Sequence, residues 1–257
     1  MNKILTQLQK IKKENRLGIM THIVAGYPSL QKSEKLLLTM AEAGVDFIEM
    51  QIPFSDPMAD GPTIMKANKV ALNNKTKIKD ALDLMSKLTK KIDIPLLFMG
   101  YFNTIYNYGL EKFCLDANQA GCSGLIFPDI PLDEEQQENY IEIVRKNDLI
   151  DIRLLSPAST QDRIKKNARL AKGFVYFVAR KGVTGSEKSL DKSLEKNLNK
   201  IKKHLKTPIA VGFGISEKAH LNALKGKAEI AVIGSALLNQ YNDKGITGVK
   251  NFLKKIG

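Results

Sequence analysis

The sequence predicts an α/β protein, a (β/α)8 TIM barrel with one extra helix at its N-terminus. Three observations point there. Eight short apolar runs alternate with longer amphipathic stretches from one end of the chain to the other. The length, 257 residues, suits the about 250 residues that one such barrel uses. The junctions that follow the apolar runs carry glycine, proline or acidic residues, the composition of a rim on which such barrels build their sites. No linker, low-complexity tract or change of composition divides the chain, so residues 1–257 read as a single domain.

The elements follow in order. Residues 1–10 have helical apolar spacing and lack the apolar core of a signal peptide. The strand-like runs are Gly18–Val24, Val45–Ile52, Ile94–Met99, Ser123–Phe127, Ile150–Leu155, Gly173–Ala179, Pro208–Phe213 and Ala228–Ile233. Between them, Ser33–Ala43, Ile78–Leu88, Glu134–Arg145, Gln161–Leu170, Leu190–His204 and Glu217–Leu224 repeat their apolar residues at helical spacing. An open doubly wound sheet usually has fewer strands, which favours the closed barrel.

Composition excludes several classes. No run of eighteen apolar residues is present, so no transmembrane helix is expected, and the chain reads as cytoplasmic. Cys114 and Cys122 make neither a disulfide framework nor metal-type spacing with the three histidines, and are expected to be buried free thiols. The net charge of +13 comes mostly from lysine pairs spread over the whole chain, such as Lys12-Lys13, Lys90-Lys91 and Lys202-Lys203. Nucleic-acid binders cluster their basic residues and favour arginine, the better phosphate fork. A solvated lysine coat that attracts anionic metabolites fits better than a nucleic-acid site.

The most informative stretch is Phe47–Gly61. It starts as an apolar strand with a carboxylate, Glu49, in its middle, and breaks at Pro53 into a loop carrying Asp56 and Asp60. Successive strand residues face opposite ways, so Phe47, Glu49 and Gln51 share one face and Ile48, Met50 and Ile52 the other. The all-apolar face suits packing against helices, which leaves Glu49 facing the barrel interior. A carboxyl group held away from water is costly to ionise, and burial moves such groups toward the range useful for proton transfer. A salt-bridged structural glutamate is the alternative.

Three glycine loops follow the last three strand-like runs: Gly182–Gly185, Gly212–Ser216 and Ile233–Ala236. Glycine lets backbone N–H groups approach an anion, and a following helix adds its positive dipole end. Ser235 could cap the final helix and donate to a phosphate oxygen. Loops after the seventh and eighth strands are where such barrels commonly hold phosphate, which nominates Gly185, Gly214, Gly234 and Ser235.

These segments resemble the tryptophan synthase alpha subunit family over almost the whole chain. The resemblance rests on Glu49 through Pro62, Met99–Asn103, Gly124–Pro131, Gly173–Tyr176, Gly182–Gly185, Val211–Ile215 and Ile233–Ala236, in matching order and spacing. It implies a lyase that cleaves indole-3-glycerol phosphate to indole and glyceraldehyde 3-phosphate. It further implies an alpha2beta2 assembly in which a pyridoxal-phosphate-dependent beta subunit receives the indole, with no cofactor or metal in this subunit. Glu49 and Asp60 fall on the family's two acids. Tyr101 and Tyr176 would line the substrate channel, Thr184 would close over it, and the loops at Pro53–Pro57 and Pro128–Pro131 would dock the beta subunit.

This sequence departs from the family pattern at three places. Gln51 stands where glycine is common, His22 replaces an aromatic beside the indole pocket, and Ala179-Arg180-Lys181 replaces a serine, an arginine and a small residue. A remodelled pocket is one account and a lost or changed activity another. A free-standing indole-releasing lyase and a weakly catalytic activator of the beta subunit are the alternative functions. Strand parity places Gln51 and His22 toward the pocket, where Gln51 is expected to bond Glu49, His22 or an ordered water.

Overall fold

The computed structural model describes residues 2–130, 138–179, 192–212 and 214–257. An opening helix α1 (Lys3–Lys13) precedes strands β1 (Gly18–Val24), β2 (Phe47–Gln51), β3 (Leu96–Met99), β4 (Gly124–Ile126), β5 (Ile150–Asp151), β6 (Arg153–Leu155), β7 (Val175–Val178), β8 (Ile209–Gly212) and β9 (Ile230–Ile233). Their order is β5-β4-β3-β2-β1-β9-β8-β7-β6, and every pairing is parallel. Eight strands were expected from the sequence. The difference is confined to the fifth run, which changes neighbours at Ile152: Ile150 pairs with Gly124 of β4, and Arg153 pairs with Val175 of β7. The two ends of the strand order are thus consecutive pieces of chain, and the sheet closes there into a barrel.

Helices cover the outside. They are α2 (Leu30–Glu42), α3 (Pro62–Asn73), α4 (Ile78–Thr89), α5 (Phe102–Tyr108), α6 (Leu110–Gln119), α7 (Tyr140–Lys146), α8 (Gln161–Leu170), α9 (Lys192–Lys202), α10 (Lys218–Leu224) and α11 (Ser235–Ile256), the last interrupted at Gly245. Two cores result. Ile48, Met50 and Ile52 pack outward against helices, while Phe47 packs inward with Met20, Leu97, Phe174 and Ile230. The Phe47 and Phe174 rings meet edge-on, 5.6 Å apart.

The bottom of the barrel is closed by α1, whose Ile4 and Ile11 join the inner core. Asn2 caps this helix by accepting from the Ile4 N–H at 3.0 Å, and its amide donates to the carbonyls of Ser123 and Asp148. Arg16 follows the helix and grips buried Asp46 with two 2.7 Å hydrogen bonds. With the bottom filled, the C-terminal ends of the strands are left to form a site.

Outside the barrel interior, the closing seam is polar. Arg153 donates to Asp151 at 2.6 Å and to Asn167 at 2.9 Å, and the Tyr140 hydroxyl donates to Asp151 at 3.0 Å. Cys114 and Cys122 are both buried and free. No helix among the described residues is long and apolar enough to cross a membrane.

Candidate active site

A cavity of about 310 Å³ opens at the C-terminal ends of the strands. Glu49 reaches it from the middle of β2, and Asp60 from the loop that follows. Part of its wall is apolar: Ile64, Met99, Ile126, Leu154, Val178 and Val232. The inward residues of successive strands supply most of that wall, so strand parity was the signal that could have named them.

Neighbouring strands bring His22 of β1 beside Glu49, as Cα partners in the parallel register. The His22 Nδ1 lies 2.8 Å from Glu49 Oε1, and both side chains are buried. Burial lowers the His22 pKa, but the charge of Glu49 and its hydrogen bond outweigh this, and His22 ends above its ordinary value. Glu49 Oε2 and His22 Nε2 are buried without a partner, which leaves both available to something inside the cavity.

Gln51 also faces inward and is fully buried, but its partner differs from the expected ones. Its amide donates to Asp60 Oδ2 at 2.7 Å, because the loop after β2 folds back over the strand end. It does not line the cavity; it stands behind Asp60 and orients it. Burial raises the Asp60 pKa, while the charge of His22 and the hydrogen bonds of Gln51 and Tyr101 pull it back.

Tyr101 differs in the same way. Rather than lining the cavity, its hydroxyl accepts from the Ala59 N–H at 2.9 Å, and its ring stacks on Phe54 with centroids 4.9 Å apart. It braces the Asp60 loop. Tyr176 does line the cavity, and burial together with Glu49 and Asp60 holds its hydroxyl neutral. A Cβ on Gly212 would sit 3.1 Å from that hydroxyl, so glycine makes room for it.

The cavity is also lined by Gly212, Gly214, Ser216, Gly234, Ser235 and Asn239, and Gly234 packs against His22. Gly214 has φ +84°, a conformation that favours glycine and turns its backbone out of strand geometry. Ser235 is the first residue of α11 rather than its cap: Gly234 takes the cap position and no side chain caps the helix. The first N–H groups of a helix lack acceptors in a preceding turn, and Ser235 and Ala236, which open α11, line the cavity. Asn239, one turn beyond Ser235, was not anticipated, although its i+4 spacing was a usable signal. Thr63 hydrogen-bonds Asn239 at 3.2 Å, linking α11 to the helix that follows the Asp60 loop. Thr184, Gly185, Arg180, Lys181 and Pro131 lie outside the described residues.

The two loops expected to dock a beta subunit do not expose their large apolar side chains Phe54 and Ile130. Phe54 is half-buried against Tyr101, and Ile130 is buried. Met58, on the same loop as Phe54, is 89% exposed. Among the described residues, no group of three or more histidine, cysteine, aspartate and glutamate side chains is placed to hold a metal ion.

The family model described as the tryptophan synthase alpha chain matches residues 8–255. The chain belongs to the tryptophan synthase alpha chain family. Relatives of that name are 43% identical in Desulfotalea psychrophila, over 97% of this chain and 97% of the relative, and 40% identical in Syntrophotalea carbinolica, over 93% of each. The crystal structure of the tryptophan synthase subunit alpha from Legionella pneumophila is similar, with a TM-score of 0.91 at 28% identity, over 100% of this chain and 97% of that one. Tryptophan synthase from M. tuberculosis in its aminoacrylate-bound form matches with a TM-score of 0.90 at 26% identity, over 100% and 98%. Membership of the tryptophan synthase alpha family makes this a lyase-type TIM-barrel enzyme of tryptophan biosynthesis, with a beta subunit as its partner.

Proposed function

We propose that the chain cleaves indole-3-glycerol phosphate by a retro-aldol reaction, releasing indole and glyceraldehyde 3-phosphate. The observation that carries this reading is one cavity lined by Glu49 and Asp60, by apolar side chains, and by Gly214 and the Gly234–Ser235 segment. The phosphate would bind at the glycine wall and the α11 N-terminus, with Gly185 and Thr184 completing and closing the site. The indole would lie between the apolar wall, Tyr176 and the two acids.

The chemistry calls for two acids with different duties. Indole C3 must gain a proton, which makes the ring a leaving group and puts positive charge on its nitrogen. The side-chain hydroxyl must then lose its proton as the carbon–carbon bond breaks, its electron pair returning to the ring and a carbonyl forming. Glu49, buried and next to His22, suits both proton transfers. Asp60, held by Gln51, suits an ionised acceptor for the indole N–H that strengthens as charge develops. Neither duty requires a metal or an organic cofactor from this subunit; pyridoxal phosphate belongs to the beta partner. The exposed Met58 and its loop offer the beta subunit an apolar contact beside the active site, in an alpha2beta2 assembly in the cytoplasm. The whole chain acts as one domain.

The test is indole formation from indole-3-glycerol phosphate, with and without a beta subunit. Glu49→Gln keeps the side-chain shape and removes the proton carrier, so turnover should fall by about 10²–10⁴-fold with binding nearly intact. A variant that keeps more than about a tenth of wild-type turnover contradicts the assignment.

A further inference from the structure

We propose that His22 and Glu49 work as one proton-holding dyad, in which His22 is a positioning residue that keeps a proton in reserve for the Glu49 carboxyl group. The proposal rests on the lyase reading above and goes beyond it, since cleavage by itself asks only for the two acids.

Three independent observations carry it. The first is contact: the parallel register sets His22 directly beside Glu49, with 2.8 Å between Nδ1 and Oε1. The second is what remains unsatisfied. Glu49 Oε2 and His22 Nε2 are buried without partners, and both residues line the cavity. The third is charge. Among the described residues lining the cavity, His22 is the only one that can carry positive charge, while Glu49 and Asp60 are both acids. With His22 neutral, the buried Glu49 carboxylate and the half-buried Asp60 carboxylate would face one cavity with no cation among its described lining residues, and a phosphate ester would add further negative charge. Like charges sharing a buried site are costly, and protonating His22 removes that cost.

The titratable groups facing the imidazole are Glu49 from β2, Asp60 from the following loop and Tyr176 from β7. Gln51 adds a neutral amide close enough to favour the charged ring, although its own oxygen has no partner. Burial opposes the charge on His22, yet the net effect of its surroundings is to raise its pKa above 6.5. The proton balance closes. The dyad starts as imidazolium and carboxylate, the proton shifts to Glu49, and Glu49 delivers it to indole C3. Glu49 then takes the hydroxyl proton as the carbon–carbon bond breaks, and the proton returns to His22. No proton is gained or lost over the cycle, and of the dyad only Glu49 touches the substrate.

Two measurements on the full chain test this. In the first, the histidine side chains of the substrate-free protein are titrated by nitrogen-15 NMR, with His22 assigned from its loss in His22→Phe. The imidazole should titrate above 6.5, and Glu49→Gln should lower its proton affinity by about tenfold or more. In the second, kcat for indole release is followed against pH. Because the active dyad holds a proton, the wild type should lose activity as pH rises through the His22 titration. His22→Phe should lack that alkaline limb and lose about tenfold or more in kcat, with KM changed less. His22→Asn offers a polar replacement should the phenylalanine variant fold poorly, and it should lose the same limb. An imidazole that titrates below 6.5, a titration unmoved by Glu49→Gln, or variant pH profiles that superimpose on the wild type would each overturn the proposal. A wild-type chain that releases no indole would instead overturn the lyase reading, and the NMR titration would still decide whether the dyad exists.

Discussion

Gln51→Leu separates a functional role for Gln51 from a packing one. The substitution keeps most of the buried volume and removes the amide. Two energies then oppose each other. The hydrogen bond to Asp60, 2.7 Å long and made to a carboxylate, contributes roughly 1.5–3 kcal/mol. The Gln51 oxygen, buried without a partner, costs about 1–3 kcal/mol that leucine recovers. Fold stability should therefore change by no more than about 2 kcal/mol. The Asp60 carboxylate, however, recovers nothing. Its pKa is already raised by burial, and the Gln51 hydrogen bond is one of the interactions that hold it down. Removing that donor raises it further, so the ionised form disappears at a higher pH on descent and the acid limb of kcat/KM moves upward. If the lost 1.5–3 kcal/mol falls on the transition state, kcat/KM drops by about 10–150-fold. The assay is indole release as a function of pH, with urea denaturation of the same preparations. An acid limb that does not move, or an activity loss matched by an equal loss of stability, would refute this account and leave Gln51 as filler.

Three other outcomes are expected. Arg153→Met strands the Asp151 carboxylate, only 10% exposed, beside Tyr140 and should cost roughly 3–5 kcal/mol, with Asp151→Asn recovering part of it; a loss under about 1 kcal/mol in urea melts would show that the polar seam does not hold the barrel closed. Burial pushes the Cys114 and Cys122 thiols up to about 12, so Ellman's reagent at pH 8 should find no reactive thiol in the native chain and both after unfolding; rapid native labelling would contradict their placement. Gly214→Val strains a position at φ +84° on the proposed phosphate wall, and should raise KM by about tenfold or more with a smaller change in kcat; an unchanged KM would place the phosphate elsewhere.

What the sequence determined by itself is what depends on short-range order. The alternation of apolar runs and amphipathic stretches is enough for a barrel, because a parallel strand and its covering helix each leave a periodic trace over a few residues. Parity along β2 placed Phe47, Glu49 and Gln51 inward for the same reason, and the glycine loops marked the wall where Gly214 and Gly234 lie. Only the tertiary structure decided who meets whom. The pairing of His22 with Glu49 depends on how β1 slides against β2, and nothing local to either strand sets that offset. The bond from Gln51 to Asp60 depends on a loop folding back over its own strand, and the same fold withdraws Tyr101 from the cavity to brace that loop. The burial of Phe54 and Ile130 could not be read from their loops, because a loop residue's cover comes from elsewhere in the chain. The break at Ile152 has the same origin: a closed barrel must join its first and last neighbours somewhere, and here one run serves both by changing partners midway.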